Sequence, residues 1–199
     1  MYLSHVTHIN KEPIDTQDVD THHQDVWTLF PGRNRNARDF VYKATKEGYY
    51  ITSIGMPVST DGQWNVNCKG FSQVAQLPVG ARLEALVLLN ATVRYDNKEH
   101  DSISHYKTVN AGKAISDWQK PETIIKDWLD KRAEMWGFSV ESFTVKSIKR
   151  IPMARYSIMA RELSMIITVN NPVRFTDTIF KGIGARRDRG FGMLQIRRI

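Results

Sequence analysis

Residues 181–192, with the sequence KGIGARRDRGFG, combine four glycines and three arginines in one short segment. Because glycine has no Cβ atom, such a backbone can adopt positive φ angles and approach another chain closely. Closely spaced arginines favour planar, bidentate recognition of phosphate. A short apolar strand, residues 193–196, follows at once, which predicts a loop fixed to a sheet edge. The candidate phosphate-binding residues are Gly184, Arg186, Arg187 and Arg189. Taken alone, the segment also fits a helix C-cap followed by a solvated charged turn.

The positive charge of the chain is concentrated in its last third. The 199 residues carry 28 Lys and Arg against 21 Asp and Glu, a net charge of +7. Residues 142–199 hold 12 of these cations and 3 of the acids, whereas residues 1–141 hold 16 and 18. A concentrated basic surface indicates a nucleic-acid backbone or an acidic membrane as the partner.

Several other classes of protein are disfavoured. Apolar runs such as residues 85–89 are far shorter than the ~20 residues that span a bilayer, and the first ten residues lack the basic and apolar regions of a signal peptide. The single Cys68 excludes an internal disulfide and a cysteine-built metal site. We therefore expect a cytoplasmic nucleic-acid-binding protein with no metal ion, no cofactor and no small-molecule substrate.

Hydrophobic periodicity predicts the order β-α-β-β-(α)-β twice, with only a degenerate second helix in the first copy. The first copy has strands at residues 2–9, 38–45, 49–55 and 66–76, and a helix from an N-cap at Thr16 to Phe30. The second copy has strands at residues 82–95, 142–150, 157–170 and 193–198. Its helices span residues 121–136, from Pro121 to a C-cap at Gly137, and 172–181.

This order predicts an α+β fold of two tandem ferredoxin-like (RRM-like) domains with antiparallel sheets, at residues 1–78 and 82–199. The two copies do not match in sequence, so the repeat is predicted from pattern alone. A polar insertion at residues 96–119 interrupts the second copy, and we expect it to be mobile or to face a partner.

Two adjacent histidines lie on the first helix. His23 shares the apolar face with Trp27 and Phe30, and a side chain with a pKa of ~6.5 is suited to move protons near neutrality. An inert, hydrogen-bonded histidine at the edge of the core is the other interpretation. His22, about 100° further round the helix, is expected to be solvated.

Residues 142–161 carry five cations and no acid, and we call this segment the basic arm. As two strands and a turn it forms a hairpin that can contact nucleic acid, or else an exposed edge protected by lysines. The candidate RNA contacts in the arm are Lys149, Arg150, Arg155 and Arg161. No stretch has the aromatic stacking signature of an RRM, so base stacking on the sheet face is not predicted.

Segments at both ends of the chain resemble the CasE family, the CRISPR-associated endoribonucleases of type I-E systems that process precursor CRISPR RNA. The resemblance covers most of the chain in order and is weakest at residues 96–119 and 147–163. The segments that carry it are MYLS (1–4), HQDVWTLFPGR (23–33), ARDFVY (37–42), GMPVS (55–59) and GIGARRDRGFGMLQI (182–196).

The resemblance implies tandem ferredoxin-like domains and metal-independent cleavage of the CRISPR repeat stem-loop at its base. It implies a 2′,3′-cyclic phosphate and a 5′-OH as products, and a protein that stays with the mature crRNA among the other subunits of Cascade. The helix-borne histidine of the family corresponds to His23. The chain departs from the family pattern at Asp20, where a tyrosine is common, and at Thr28, where a basic residue is common.

Two other functions remain open at this stage. The charge distribution equally fits a non-catalytic subunit that binds an RNA hairpin. It also fits a ribosomal-type protein or a regulator of messenger RNA, which would show no preference for one repeat hairpin.

Overall fold

The computed structural model describes residues 1–10, 13–16, 18–32, 40–70, 77–113, 119–153 and 156–199. Within these residues the first half of the chain forms one helix and a four-stranded antiparallel sheet in the order β2-β3-β1-β4. The elements are β1 (Tyr2–His8), α1 (Val19–Thr28), β2 (Phe40–Thr45), β3 (Gly48–Ser53) and β4 (Trp64–Gly70).

The second half forms another four-stranded antiparallel sheet, in the order β10-β5-β9-β8, and a separate two-stranded hairpin of β6 and β7. One-turn 3₁₀ helices lie at Glu134–Trp136 and Arg187–Arg189. The other elements are β5 (Arg82–Leu89), β6 (Thr92–Tyr95), β7 (Lys98–Asp101), α2 (Ser102–Val109), α3 (Pro121–Ala133), β8 (Phe138–Pro152), β9 (Ser157–Val169), α4 (Pro172–Lys181) and β10 (Gln195–Arg198).

Both sheets have the same connectivity. When the strands of each half are numbered along the chain, each sheet has the order 4-1-3-2, which is the ferredoxin-like arrangement. The α+β fold with two antiparallel sheets, predicted from pattern alone, is confirmed. No helix occurs between Ser53 and Trp64, all of which the structure describes, so the first copy lacks the second helix there. The domain limits at residues 78 and 82 stay a prediction.

Short sequence patterns predicted several helix ends correctly. Pro121 is the first residue of α3, and Gly137 ends the following 3₁₀ turn in the left-handed conformation, with a φ of 82°. The Asn171 side chain accepts a bond of 3.1 Å from the N–H of Arg174 and so caps α4. The start of α1 was predicted wrongly: Asp18, not Thr16, is the N-cap, since its carboxylate accepts from the N–H of Thr21 at 3.1 Å.

The predicted strand 82–95 is wrong, because β5 ends at Leu89. The chain then forms the β6–β7 hairpin, whose turn residues Asp96 and Asn97 have φ angles of 48° and 56°. Asp and Asn tolerate this left-handed conformation better than most residues. The described part of the insertion therefore contains a strand and a helix, and its mobility or contact with a partner stays a prediction. None of the helices in the described ranges is long and apolar enough to cross a membrane.

Arg161 attaches this hairpin to the second sheet. Its side chain is only 4% exposed, and its guanidinium donates to both carboxylate oxygens of Asp101, at 2.6 and 3.1 Å. Asp101 also caps α2 by accepting from the N–H of Ser104. The prediction that Arg161 contacts RNA is therefore corrected: its charge is buried and already paired.

The two faces of the first sheet are covered by different halves of the chain. On one face α1 contributes Val26 and Trp27 to the core that contains Phe40. On the other face the Thr52 hydroxyl donates to the carbonyl oxygen of Ile179 in α4, at 3.0 Å. A third group of buried residues joins the start of α1, the basic arm and the loop of residues 181–192. We call it the junction cluster, and its members are Val19, Ile151, Ile158, Ala160 and Phe191.

The close approach of backbone at Gly192 generates a stability prediction. Its φ is +81°, and a Cβ atom there would lie 2.0 Å from the carbonyl oxygen of Ile183. Gly62 has a similar φ of +69°, but no atom lies within 4 Å of its Cβ position. We expect Gly62→Ala to cost about 1–2 kcal/mol of unfolding free energy through backbone strain alone. Gly192→Ala should cost clearly more, because backbone must also move. Equal losses in urea unfolding would contradict this account.

Candidate active site

Helix α1 buries one of its two histidines. His22 is 2% exposed and its ring meets the Tyr49 ring edge-on at 5.6 Å. Burial lowers its pKa below the ordinary value of 6.5. The prediction that His22 is solvated is wrong, because Val19, His22 and Val26 follow at i, i+3 and i+7 and share one buried face.

His23 is half-buried at the edge of the same helix and contacts the other half of the chain. Its Nδ1 lies 2.7 Å from the carbonyl oxygen of Asp188. Because a carbonyl oxygen can only accept, Nδ1 must carry the proton, which leaves Nε2 as the nitrogen free to exchange one. The Tyr42 hydroxyl donates to the same carbonyl oxygen at 3.3 Å. The imidazole is thus held in one orientation and one tautomer.

The glycine–arginine loop, residues 181–192, is attached firmly to the second sheet. The N–H of Gly192 donates to the Leu88 carbonyl at 2.8 Å, and the N–H of Ile183 donates to the Gly192 carbonyl at 2.9 Å. Gly190, with a φ of +82°, lies against the Tyr42 ring, where a Cβ atom would come within 3.0 Å of a ring carbon. The prediction of a loop fixed to a sheet edge is confirmed, since β10 follows it and pairs with β5.

One arginine of the loop reaches the helix that carries His23. The Arg189 guanidinium forms an ion pair with Asp20, which lies one turn before His23 on α1. Its Nε also lies 3.4 Å from a carboxylate oxygen of Asp188. Asp20, one of the two departures from the family pattern, therefore holds a loop arginine on the same side of the helix as His23.

The other predicted loop residues line a larger cleft of about 730 Å³ between the loop, α3 and α4, which we call the large cleft. Arg186 forms an ion pair of 3.1 Å with Glu99 and lies over the Tyr156 ring at 5.4 Å. Arg187 donates to the Lys181 carbonyl at 2.9 Å. Gly184 lies on the wall of the same cleft.

The predicted residues of the basic arm divide into three groups. Lys149 and Arg150 are exposed and line a smaller cleft of about 290 Å³, together with Arg189 and Lys43. Arg161 is buried and paired, as described above. Arg155 lies outside the described residues. The structure therefore brings two arm cations and one loop arginine to the same cleft beside α1.

Sequence reasoning missed the groups that orient His23. A backbone carbonyl such as that of Asp188 has no sequence signature, because every residue carries one. Tyr42 lies within the segment ARDFVY but had no predicted role. Asp20 was noticed only as a departure from a pattern, and its partner lies far along the chain at Arg189.

With this geometry in place, the comparisons with known proteins identify the family. A family model described as CRISPR associated protein matches residues 1–198, almost the whole chain. The chain belongs to this family of CRISPR-associated proteins. The resemblance to CasE proteins, stated above from segments at both ends of the sequence, is confirmed. No match was found among curated proteins.

Solved structures of similar fold cover the chain from end to end. Cas6e from Escherichia coli K-12 is 24% identical, with a TM-score of 0.67 over 100% of each chain. Thermus thermophilus Cse3, bound to an RNA representing a pre-cleavage complex, is 16% identical, with a TM-score of 0.72 over 98% of each chain. A chain of the E. coli Cascade bound to a dsDNA target is 20% identical, with a TM-score of 0.54 over 100% of each chain. These likenesses confirm the tandem ferredoxin-like fold of this CRISPR-associated protein.

The buried His22 predicts a pH dependence of stability. Burial lowers the pKa of His22 in the folded chain. As the pH falls through the unfolded pKa of ~6.5, the unfolded chain therefore binds more protons at this residue than the folded chain does. The contribution of His22 to stability is therefore complete above this pH and is lost below it. His22→Phe keeps a ring beside Tyr49 but cannot titrate, so its unfolding free energy should fall less steeply on acidification than that of the wild type. The neighbouring Gln24→Ala, on the exposed side of α1, should keep the wild-type slope. Parallel slopes for His22→Phe and wild type in urea titrations would refute this assignment.

Proposed function

We propose that the protein is an endoribonuclease that cleaves precursor CRISPR RNA at the base of the repeat stem-loop, without a metal ion. The observation that carries the proposal is His23, which is held by the Asp188 carbonyl and lies one turn after Asp20, the partner of the loop residue Arg189. A histidine with one free nitrogen beside a guanidinium is suited to transphosphorylation of RNA. The similar Cse3 and Cas6e proteins support this reading, since Cse3 is described as a CRISPR endoribonuclease bound to RNA.

The reaction uses the RNA, water and the side chains of this chain. The 2′-OH attacks the adjacent phosphorus while the 5′-oxygen leaves, which gives a 2′,3′-cyclic phosphate and a 5′-OH. Neutral His23 accepts the 2′-OH proton at Nε2 while water protonates the 5′-oxygen, or as imidazolium it donates a proton from Nε2 to the leaving oxygen while water takes the 2′-OH proton. Both roles use the same nitrogen, because Nδ1 is occupied by Asp188. Such proton transfer contributes about 10²–10⁴-fold to the rate.

Arg189 stabilises the charge that develops on the phosphorane. Its side chain is 27% exposed and its partner Asp20 is 46% exposed, so a phosphate can reach the guanidinium from solvent. Arg186 adds positive potential around the same loop.

The basic arm binds the stem of the hairpin. Lys149 and Arg150 are exposed and line the smaller cleft together with Arg189, so cations run from the arm to the cleavage site. Double-stranded RNA is recognised mainly through its shape and its phosphates. The partners that follow from the proposal are the repeat hairpin, the mature crRNA and the other Cascade subunits.

The first experiment measures cleavage of a labelled repeat stem-loop in EDTA. We expect the wild type to cut, and His23→Ala to lose about 10²–10⁴-fold in rate with unchanged affinity. Gln24→Ala, the next residue on α1, is the matched control and should cut normally. A 2′-deoxy nucleotide at the scission site should stop cleavage and leave binding intact. Loss of activity in EDTA would remove the metal-free mechanism, and tight binding with no cleavage by the wild type would leave a hairpin-binding subunit.

The second experiment tests the stem contact. Lys149→Gln and Arg150→Gln should each weaken binding of the stem-loop and reduce the dependence of log affinity on log salt by about 0.7–0.9 for each lost phosphate contact. Arg174→Gln is the matched control, because Arg174 is an exposed cation of α4 that lines neither cleft. If all three substitutions weaken binding of the stem-loop equally, only the net charge of the protein matters and the arm is not part of the RNA interface.

A further inference from the structure

The large cleft contains arginines that the cleavage site does not use. Among the described residues, Arg94, Arg132 and Arg187 line this cleft and have no carboxylate partner. The three carboxylates of the cleft face other groups: Glu99 pairs with Arg186, Asp177 pairs with Lys181 at 2.7 Å, and Asp188 lies 3.4 Å from Arg189. An excess of positive charge therefore faces the cleft.

Arg132 is the most informative of these cations. It is half-buried on α3, with its guanidinium carbon 4.4 Å from the centre of the Trp128 ring and its Nη1 donating to the Trp128 carbonyl at 3.2 Å. Burial lowers its pKa. A guanidinium that has lost part of its water and has no counter-ion is a site where an anion restores favourable electrostatics.

Aromatic and apolar surface lies next to these cations. Trp128 is buried and fixed by its indole N–H, which donates to the Thr92 carbonyl at 2.7 Å. Trp136 is half-buried beside it, with ring centres 5.6 Å apart, and Met135 is 67% exposed. A partly exposed ring such as Trp136, on which a base can stack, and cations that follow the backbone are the two elements of single-strand binding.

The large cleft is continuous with the proposed cleavage site through the glycine–arginine loop. Residues 184–188 form one wall of the cleft, and Asp188, the last of them, holds His23 through its carbonyl. A strand that leaves the scissile phosphate along this loop enters the cleft directly. A cleft of about 730 Å³ is large enough for unpaired nucleotides but too small for a double helix.

We infer that the large cleft binds single-stranded RNA continuous with the stem-loop, with Arg94, Arg132 and Arg187 on its phosphates. This inference rests on the proposed function, since it requires the stem-loop to be bound at the neighbouring site. It assigns the cleft a part in substrate recognition, separate from the arm that holds the stem.

The test is equilibrium binding of the full chain to RNAs with a 2′-deoxy nucleotide at the scission site, so that no cleavage occurs. Three RNAs are compared: the bare stem-loop, the stem-loop with a single-stranded 5′ extension, and the stem-loop with a 3′ extension. One extension should raise the affinity of the wild type. Arg132→Gln and Arg94→Gln should each bind the extended RNA about tenfold more weakly than the wild type does. The slope of log affinity against log salt should fall by about 0.7 for each lost phosphate contact.

Matched variants separate the cleft from general charge and from folding. Lys131→Gln removes a cation from the next residue of α3, outside the cleft, and should keep the full gain. Arg94 is exposed, so its substitution does not depend on repacking. All variants should bind the bare stem-loop like the wild type.

Several results would overturn the inference. If neither extension raises the affinity of the wild type, the cleft does not bind flanking RNA. If the cleft variants instead fail only to associate with the other Cascade subunits, the occupant is an acidic protein segment. If Arg94→Gln and Arg132→Gln weaken binding of the bare stem-loop as much as binding of the extended RNA, the cleft binds the stem instead. By contrast, an extension-dependent gain without any cleavage of unmodified RNA would contradict the nuclease and leave this inference standing.

Discussion

The position of His23 depends on the junction cluster, in which Val19 of α1 and Phe191 of the loop pack against the basic arm. Val19 lies one turn before His23, and Phe191 lies three residues after Asp188, so this contact sets the distance between imidazole and carbonyl. Burying a phenylalanine side chain contributes about 1.5–3 kcal/mol, whereas a single hydrogen bond contributes about 1 kcal/mol net. Apolar packing between the two halves therefore aligns the site, and the 2.7 Å bond of His23 follows from that alignment.

Two arginine–aspartate pairs near this junction differ in what they can do. The Arg161–Asp101 pair is 4% and 14% exposed, and breaking such a buried pair costs about 3–5 kcal/mol. The Arg189–Asp20 pair is 27% and 46% exposed, and pairs of that kind contribute at most about 1 kcal/mol. A phosphate with two acceptor oxygens can therefore compete for Arg189 but not for Arg161. Burial, rather than charge, separates a structural arginine from one that a phosphate can reach from solvent.

This difference explains which features the sequence could predict. The strand order, the start of α3 at Pro121, the start of α4 after Asn171 and the fixed glycine–arginine loop depend on local patterns, and the structure agrees with each. The role of Arg161 depends on Asp101, 60 residues away, and no local pattern reports such a partner. The burial of His22 was missed because its ring lies on the boundary of the apolar face, where the Tyr49 ring covers it. The carbonyl that orients His23 comes from backbone, which the sequence does not distinguish.

The three arginines of the loop do not form one uniform basic patch. Arg186 has a φ of 57°, a left-handed conformation that costs a non-glycine residue about 1–2 kcal/mol, and Gly190 turns the chain again after the 3₁₀ turn. As a result Arg186 points to Glu99, Arg187 to the Lys181 carbonyl and Arg189 to Asp20. The first two lie at the large cleft and the third lies beside His23. A segment of four residues thus directs charge to two neighbouring surfaces and provides each of them with a guanidinium.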